Sequence, residues 1–218
     1  MEKLYDFLKY YMTDERDQKF EKVIQGRTRF ITCVVENLFQ PHNASAVLRS
    51  CDCFGIQDVH IIENDNEWKT NKEISMGATK WLNIHQYNSK EQNTVDCLRQ
   101  LKANGYKIVA TTPHENDCEI ADLPLDAPVA LVFGTELSGV SKEVMDEADL
   151  FVRIPMYGFT ESFNISVAAA LSLYELTQRV RLEGIEWKLT REEMATIKVK
   201  WAKQSIRKSE GIIKHFNG

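Results

Sequence analysis

Three polar elbows in this chain combine residue types that can hold a ligand. At 152–171 the sequence reads VRIPMYGFTESFNISVAAAL. Phe151 to Ile154 reads as a short strand, which Pro155 ends because it has no N–H to donate to a ladder. Met156 to Glu161 then form a loop around Gly158. Ser162 and Asn164, both preferred N-cap types, stand where an alanine-rich helix should begin. A strand, a polar elbow and a helix start gather free backbone N–H groups at one spot, a cradle for an anionic or strongly polar ligand. The same pattern also fits an ordinary capped βα turn.

The second elbow, Gly134-Thr135-Glu136-Leu137-Ser138-Gly139, follows the most apolar strand, PVALVF. A glycine at each end lets the backbone turn sharply and approach a ligand closely. Glu136 is the one charge between them, and by itself it is equally a solvated turn acid. Thr111-Thr112-Pro113 is the third elbow, after YKIVAT. Ligands of open α/β sheets sit beyond the carboxyl ends of the strands, where all three elbows fall. Earlier in the chain, Asn43 and Arg49 stand six residues apart on one expected helix. An arginine fork can hold a phosphate bidentately. Outside any larger pattern these two are also an ordinary helix cap and a surface ion. The default nucleotide signatures, GxGxxG and GK[ST], are absent.

The elements that position these residues alternate. Thr13 caps a helix over 14–25, with Gly26 as its stop. FITCVVE at 30–36 is a β-branched buried strand. Asn43 is expected as the N-cap of a helix to Phe54, closed by Gly55. Strands follow at 59–62 and 82–86, and a helix from Ser89 to Asn104. Strands at 106–111 and 128–133 flank a Pro- and Asp-rich connection at 113–127. Ser141 caps a short helix, and the long helix after Asn164 runs to about Glu183. Thr190 with Glu193 forms a capping box for a last basic helix, interrupted near Gly211. Alternating continuous apolar strands and helices give an α/β fold: a mostly parallel sheet flanked by helices. The expected division is a helical extension at 1–27, one domain at 28–184, and a basic helical extension at 185–218.

Apolar residues make up 43% of 218, enough for a substantial core. No apolar run approaches the ~20 residues that span a bilayer, so no membrane partner is expected. The first seventeen residues carry acids throughout and no clean apolar stretch, so no signal peptide is read. Five scattered cysteines suit a reducing cytoplasm. Cys51-x-Cys53 lacks a second ligand pair at matching spacing, so no metal site is expected. The net charge of −5 is divided: residues 31–178 carry 10 bases against 21 acids, and residues 179–218 carry 10 against 5. A basic arm on an acidic body is a possible nucleic-acid footprint and equally a solvated helix.

Taken together, three segments resemble one family. Pro41-His42-Asn43-Ala44-Ser45-Ala46-Val47-Leu48-Arg49 resembles the first motif of the SpoU-type RNA ribose 2′-O-methyltransferases, of the SPOUT class. Val132-Phe133-Gly134-Thr135-Glu136 to Gly139 resembles the second. Ile154-Pro155-Met156 with Ser162-Phe163-Asn164-Ile165-Ser166-Val167-Ala168 resembles the third. The three stand in order and at family-like spacing over about 20–184. VVENLFQPHN and the preceding FEKVIQGR look most like the branch that acts on guanosine 18 in the tRNA D-loop. The resemblance implies an α/β-knot, in which the C-terminal part of the sheet makes a deep trefoil knot. It also implies S-adenosyl-L-methionine as cofactor, held near Thr111, Gly134, Ile154 and Phe163. Asn43, Arg49, Glu136, Ser162 and Asn164 would be the catalytic set, at a site built in a homodimer. Arg27, Arg29, Arg179 and Arg181 would meet tRNA, together with basic residues of the last helix such as Lys198 and Lys203. The alternatives are the same reaction on ribosomal RNA and a non-catalytic RNA-binding member of the fold. A serine hydrolase through Ser162 lacks a GxSxG elbow and a suitably spaced histidine.

Overall fold

The structure is a computed structural model that describes residues 1–38, 40–65, 77–89, 92–113, 117–135 and 138–216. In chain order these hold α1 (Glu2–Lys9), α2 (Asp14–Ile24), β1 (Ile31–Glu36), α3 (Pro41–Phe54), β2 (Asp58–Ile62) and β3 (Asn83–Tyr87). Then come α4 (Asn93–Ala103), β4 (Lys107–Thr111), β5 (Cys118–Glu119), β6 (Val129–Phe133), α5 (Lys142–Glu147) and β7 (Leu150–Arg153). The chain ends with α6 (Ile165–Leu182), α7 (Arg191–Ser205) and α8 (Ser209–Phe216). Two compact units form: residues 29–187, and residues 1–28 with 188–218.

The larger unit is the expected parallel sheet. Its seven strands run in the order β3-β2-β1-β6-β4-β7-β5, every pair parallel. The central strands are buried on both faces, which is why β6 reads as an unbroken apolar run and β1 is apolar at most of its positions. Ile31, Cys33 and Val35 pack on one face with Val47, Leu48, Ala169 and Leu173 of α3 and α6. Val34, Ala130 and Val132 pack on the other with Leu98 and Leu101 of α4. Alternate residues of one strand therefore serve two cores.

Several boundaries differ from expectation. Pro41, not Asn43, starts α3, with Gln40 as its cap. Proline is pre-set for the first helical turn, and this moves Asn43 inside that turn. α4 begins at Asn93 rather than Ser89, and β3 spans Asn83–Tyr87. The 113–127 connection contains the two-residue strand β5, too short to show a pattern. The break in the last helix falls at 206–208, where Ile206 is extended and Lys208 has φ 59°, so Gly211 lies inside α8. The other caps stand as read: Thr13 and Ser141 accept bonds from their N3 amides, Gly55 closes α3 with φ 83°, and Thr190 with Glu193 forms the capping box.

At the β2–β3 side of the sheet, register pairs Asp58 with Asn83 and His60 with His85. Asp58 binds His85 Nε2 at 2.8 Å and Arg29 Nε at 2.7 Å. Burial opposes the charge on Asp58, but His85 and Arg29 outweigh it and hold its carboxyl below the usual range. The rings of His60 and His85 stack at 4.6 Å. Burial first, and His85 second, push His60 down to about 4, against a smaller opposing pull from Asp58.

In the smaller unit α1 and α2 pack on α7. Trp201 is buried against Phe20, with ring centroids 5.4 Å apart. Lys198 bonds Glu21 at 2.7 Å and lies 4.4 Å from the Tyr5 ring centre.

Candidate active site

The strand order explains the site. β1, β6, β4 and β7 are consecutive neighbours, and all four run the same way. Their carboxyl ends therefore lie side by side, and the segments that follow them carry every residue singled out above for chemistry. Thr111 ends β4, Gly134 follows β6 and Ile154 follows β7. A cavity of about 480 Å³ opens there. Thr111, Gly134, Ile154 and Phe163, the expected cofactor residues, all line it, and so does Ser162.

Local forces fix each elbow. Thr111 Oγ1 donates to Val132 O at 2.9 Å, tying the end of β4 to β6. The β6 loop closes on itself: Thr135 N donates to Gly139 O at 2.8 Å, and Gly139 N returns a bond to Thr135 O at 3.1 Å. A Cβ on Gly134 would lie 2.0 Å from Gly139 O, so this closure requires glycine. Gly139 itself has φ 69°, the left-handed region. Glu136, between these two glycines, falls outside the described residues.

The third elbow meets the first motif. Asn164 caps α6, its Oδ1 accepting from Ser166 N at 2.9 Å. Its Nδ2 donates to Asn43 Oδ1 at 3.2 Å, joining positions 121 residues apart. Asn43 is buried and donates in turn to Gln40 at 3.3 Å. Arg49 lies farther along α3 and is exposed. Among the described residues no hydrogen bond or ion pair engages its guanidinium.

Two features escaped sequence reasoning. Glu36, at the end of β1, is a buried carboxylate. It accepts from Ser141 N at 2.9 Å, from Ser141 Oγ at 2.8 Å and from Thr94 Oγ1, pinning the start of α5 beside the cavity. Ser172 on α6 lines the cavity although it sits in the run AAALSLYEL. Its only signal was a hydroxyl on an otherwise apolar stripe.

The four expected RNA-binding arginines all have partners within the chain. Arg27 is buried, its guanidinium 5.4 Å from the Trp201 ring centre. Arg29 pairs with Asp58. Arg179 bonds Glu183 at 2.7 Å and Leu123 O at 2.8 Å. Arg181 bonds Thr177 O at 2.8 Å and Phe54 O at 3.0 Å. Among the described residues no group of three or more His, Cys, Asp or Glu side chains could hold a metal ion. No helix among them is long and apolar enough to cross a membrane.

Comparison with known proteins converges on one family. The model of the SpoU rRNA methylase family matches residues 31–174. A tRNA (guanosine(18)-2′-O)-methyltransferase of Borreliella burgdorferi is 39% identical over 200 residues, covering 92% of this chain and 90% of its own. The crystal structure of a TrmH/SpoU tRNA modifying enzyme from A. aeolicus superposes with a TM-score of 0.79 at 31% identity, over 89% of this chain and 98% of that one. The SpoU methyltransferase AviRb of Streptomyces viridochromogenes, solved with its cofactor AdoMet, shares the fold at a TM-score of 0.61 and 24% identity, over 74% of this chain and 62% of that one.

The cavity fits that cofactor. Its volume lies in the range of small-ligand sites, and apolar walls such as Phe133, Val152 and Ile165 suit a purine ring. The glycine-closed β6 loop presents bare backbone, and Arg153 and Glu161 supply charge at exposed positions. Thr111, Gly134, Ile154 and Phe163 lie on the cavity's lining.

Proposed function

This chain belongs to the SpoU rRNA methylase family, and from that membership we propose that it methylates the ribose 2′-hydroxyl of guanosine 18 in the tRNA D-loop. The observation that supports this most directly is the Asn164–Asn43 bond. It ties the elbow that lines the cofactor cavity to the helix that carries Arg49. Bound S-adenosyl-L-methionine supplies an electrophilic methyl group.

The residues of the chain provide position and proton transfer. A ribose hydroxyl is a poor nucleophile until its proton moves to a base, and in-line placement carries much of the rate. Asn43 and Asn164 fix the first turn of α3 against the first turn of α6. Arg49 holds an RNA phosphate beside the reacting ribose. A free guanidinium does not deprotonate, so Arg49 and that phosphate act as a unit that accepts or relays the hydroxyl proton. Ser162, at the cavity, and Glu136 complete the proposed catalytic set.

We read 28–184 as the methyltransferase domain and 1–27 with 185–218 as helical extensions. The deep C-terminal trefoil knot of the family is proposed for this domain. A homodimer is proposed from α6, where Val167, Leu171 and Tyr174 form an exposed apolar stripe at helical spacing. Arg29, Arg179 and Arg181 are proposed phosphate contacts, and Arg27 joins them only if it leaves the Trp201 ring. The reaction is placed in the cytoplasm.

Incubation with a labelled methyl donor and either bulk tRNA or ribosomal RNA, with mapping of the modified ribose and calorimetry of cofactor binding, tests the proposal. Label at the 2′-oxygen of guanosine 18 supports it. Label only in ribosomal RNA would move the substrate. Cofactor binding without label in either RNA would leave a non-catalytic RNA binder.

A further inference from the structure

We infer that Ser172 donates or accepts a hydrogen bond to the nucleoside part of the cofactor, a role that rests on the methyltransferase reading. Ser172 stands seven residues after Ile165, on the face of α6 that also carries Ala168. All three line the cavity. Ser172 is 1% exposed, and among the described residues its Oγ has no hydrogen-bond partner.

Helical hydroxyls usually bond the carbonyl one turn back. Among the described residues three do so: Thr177 Oγ1 reaches Leu173 O at 2.6 Å, Ser45 Oγ reaches Pro41 O at 2.7 Å, and Thr196 Oγ1 reaches Glu192 O at 2.9 Å. Ser172 does not, although it lies on the same helix as Thr177. A buried hydroxyl without a partner costs stability, and alanine would preserve both helix and packing. The hydroxyl is therefore explained by what enters the cavity.

The part of the cofactor that reaches it follows from charge. Among the described residues of the lining, the charged ones, Arg153 and Glu161, are exposed. The fully buried walls, Phe133 and Val152, are apolar. A charged amino-acid end is costly to bury among such walls, whereas a neutral nucleoside with polar edges needs only a few bonds. Ser172 supplies one of them.

Calorimetric titration of the intact chain and of Ser172→Ala tests this, with S-adenosylhomocysteine and 5′-methylthioadenosine as ligands. The ligand-free melting temperature of each chain is measured beside them. The variant should bind both ligands roughly threefold to tenfold more weakly, the size of one neutral hydrogen bond. Its ligand-free melting temperature should be equal or higher. Equal affinities in the two chains would overturn the inference and leave the methyltransferase reading intact. A loss for S-adenosylhomocysteine alone, or no binding of the nucleoside fragment to the intact chain, would overturn the assignment to the nucleoside end. Weaker binding with a lower ligand-free melting temperature would make Ser172 a structural group. An intact chain that binds neither ligand would overturn the methyltransferase reading itself.

Discussion

Asn164 performs two tasks that substitution can separate. Its Oδ1 caps α6 through Ser166 N and also accepts from Ser166 Oγ at 2.6 Å, while its Nδ2 reaches Asn43. Serine is as good a cap as asparagine but too short to reach Asn43. Asn164→Ser should therefore lose only the link, about 1 kcal/mol. Asn164→Ala loses link and cap together, about 2 kcal/mol. For a chain of this size these correspond to melting temperatures lower by about 3 °C and about 6 °C. Both variants release the first turn of α3 from the cavity elbow. Methyl transfer to tRNA should then fall on the order of 10²-fold in each, the usual cost of a small misplacement. Thermal melts and single-turnover methylation measure the two effects. Full turnover by Asn164→Ser would refute the positioning argument, and identical melting temperatures for the two variants would refute the capping argument.

Gly134→Ala should abolish measurable cofactor binding by calorimetry, because a Cβ 2.0 Å from Gly139 O forces the β6 loop open. Near-normal affinity would mean that this loop does not form the cofactor wall. Arg49→Ala should lose nearly all methyl transfer with little change in cofactor affinity, and Arg49→Lys should restore part of it with a displaced pH–rate profile. Full activity of the alanine variant would exclude Arg49 from the proton path. Acid should weaken the fold through His60. Its folded value of about 4 lies below the ordinary 6.5, so between these pH values the unfolded chain takes up a proton that the folded chain does not. Stability is full above about 6.5 and falls as pH drops towards 4, by about 3 kcal/mol in all. Urea midpoints at pH 7 and pH 5 should differ less in His60→Asn than in the unsubstituted chain; equal differences would place the acid sensitivity elsewhere.

The strands were legible because burial on both faces leaves β1 and β4 mostly apolar and β6 apolar throughout. β5 was not, since two residues carry no period. Elbows were legible through residues with strong backbone demands: Pro155, Gly134, Gly139 and the cap Asn164. The cap position of α3 was misplaced because proline at the first helical position outranks asparagine two residues later. In α7 the lysines fit a nucleic-acid footprint and a solvated helix equally well. Yet Ala195, Ile197, Val199 and Trp201 between them are buried in the smaller unit. A charge run describes only the outside of a helix.

The contact that matters most, Asn164 to Asn43, could not be read from either segment. Each segment by itself supports a capped helix and nothing more. What brings them together is the sheet order, in which β6 and β4 are inserted between β1 and β7. Had the strands followed in chain order, the α3 start and the α6 start would have been separated by most of the sheet. The insertion shortens that separation to two intervening strands, and the packing of α3 on α6 closes it, with Phe54 and Tyr174 rings 6.0 Å apart farther along the pair. A site of this kind is encoded in strand order before it is encoded in catalytic residues. Substitutions that loosen the α3–α6 packing should thus impair chemistry without touching any residue of the cavity.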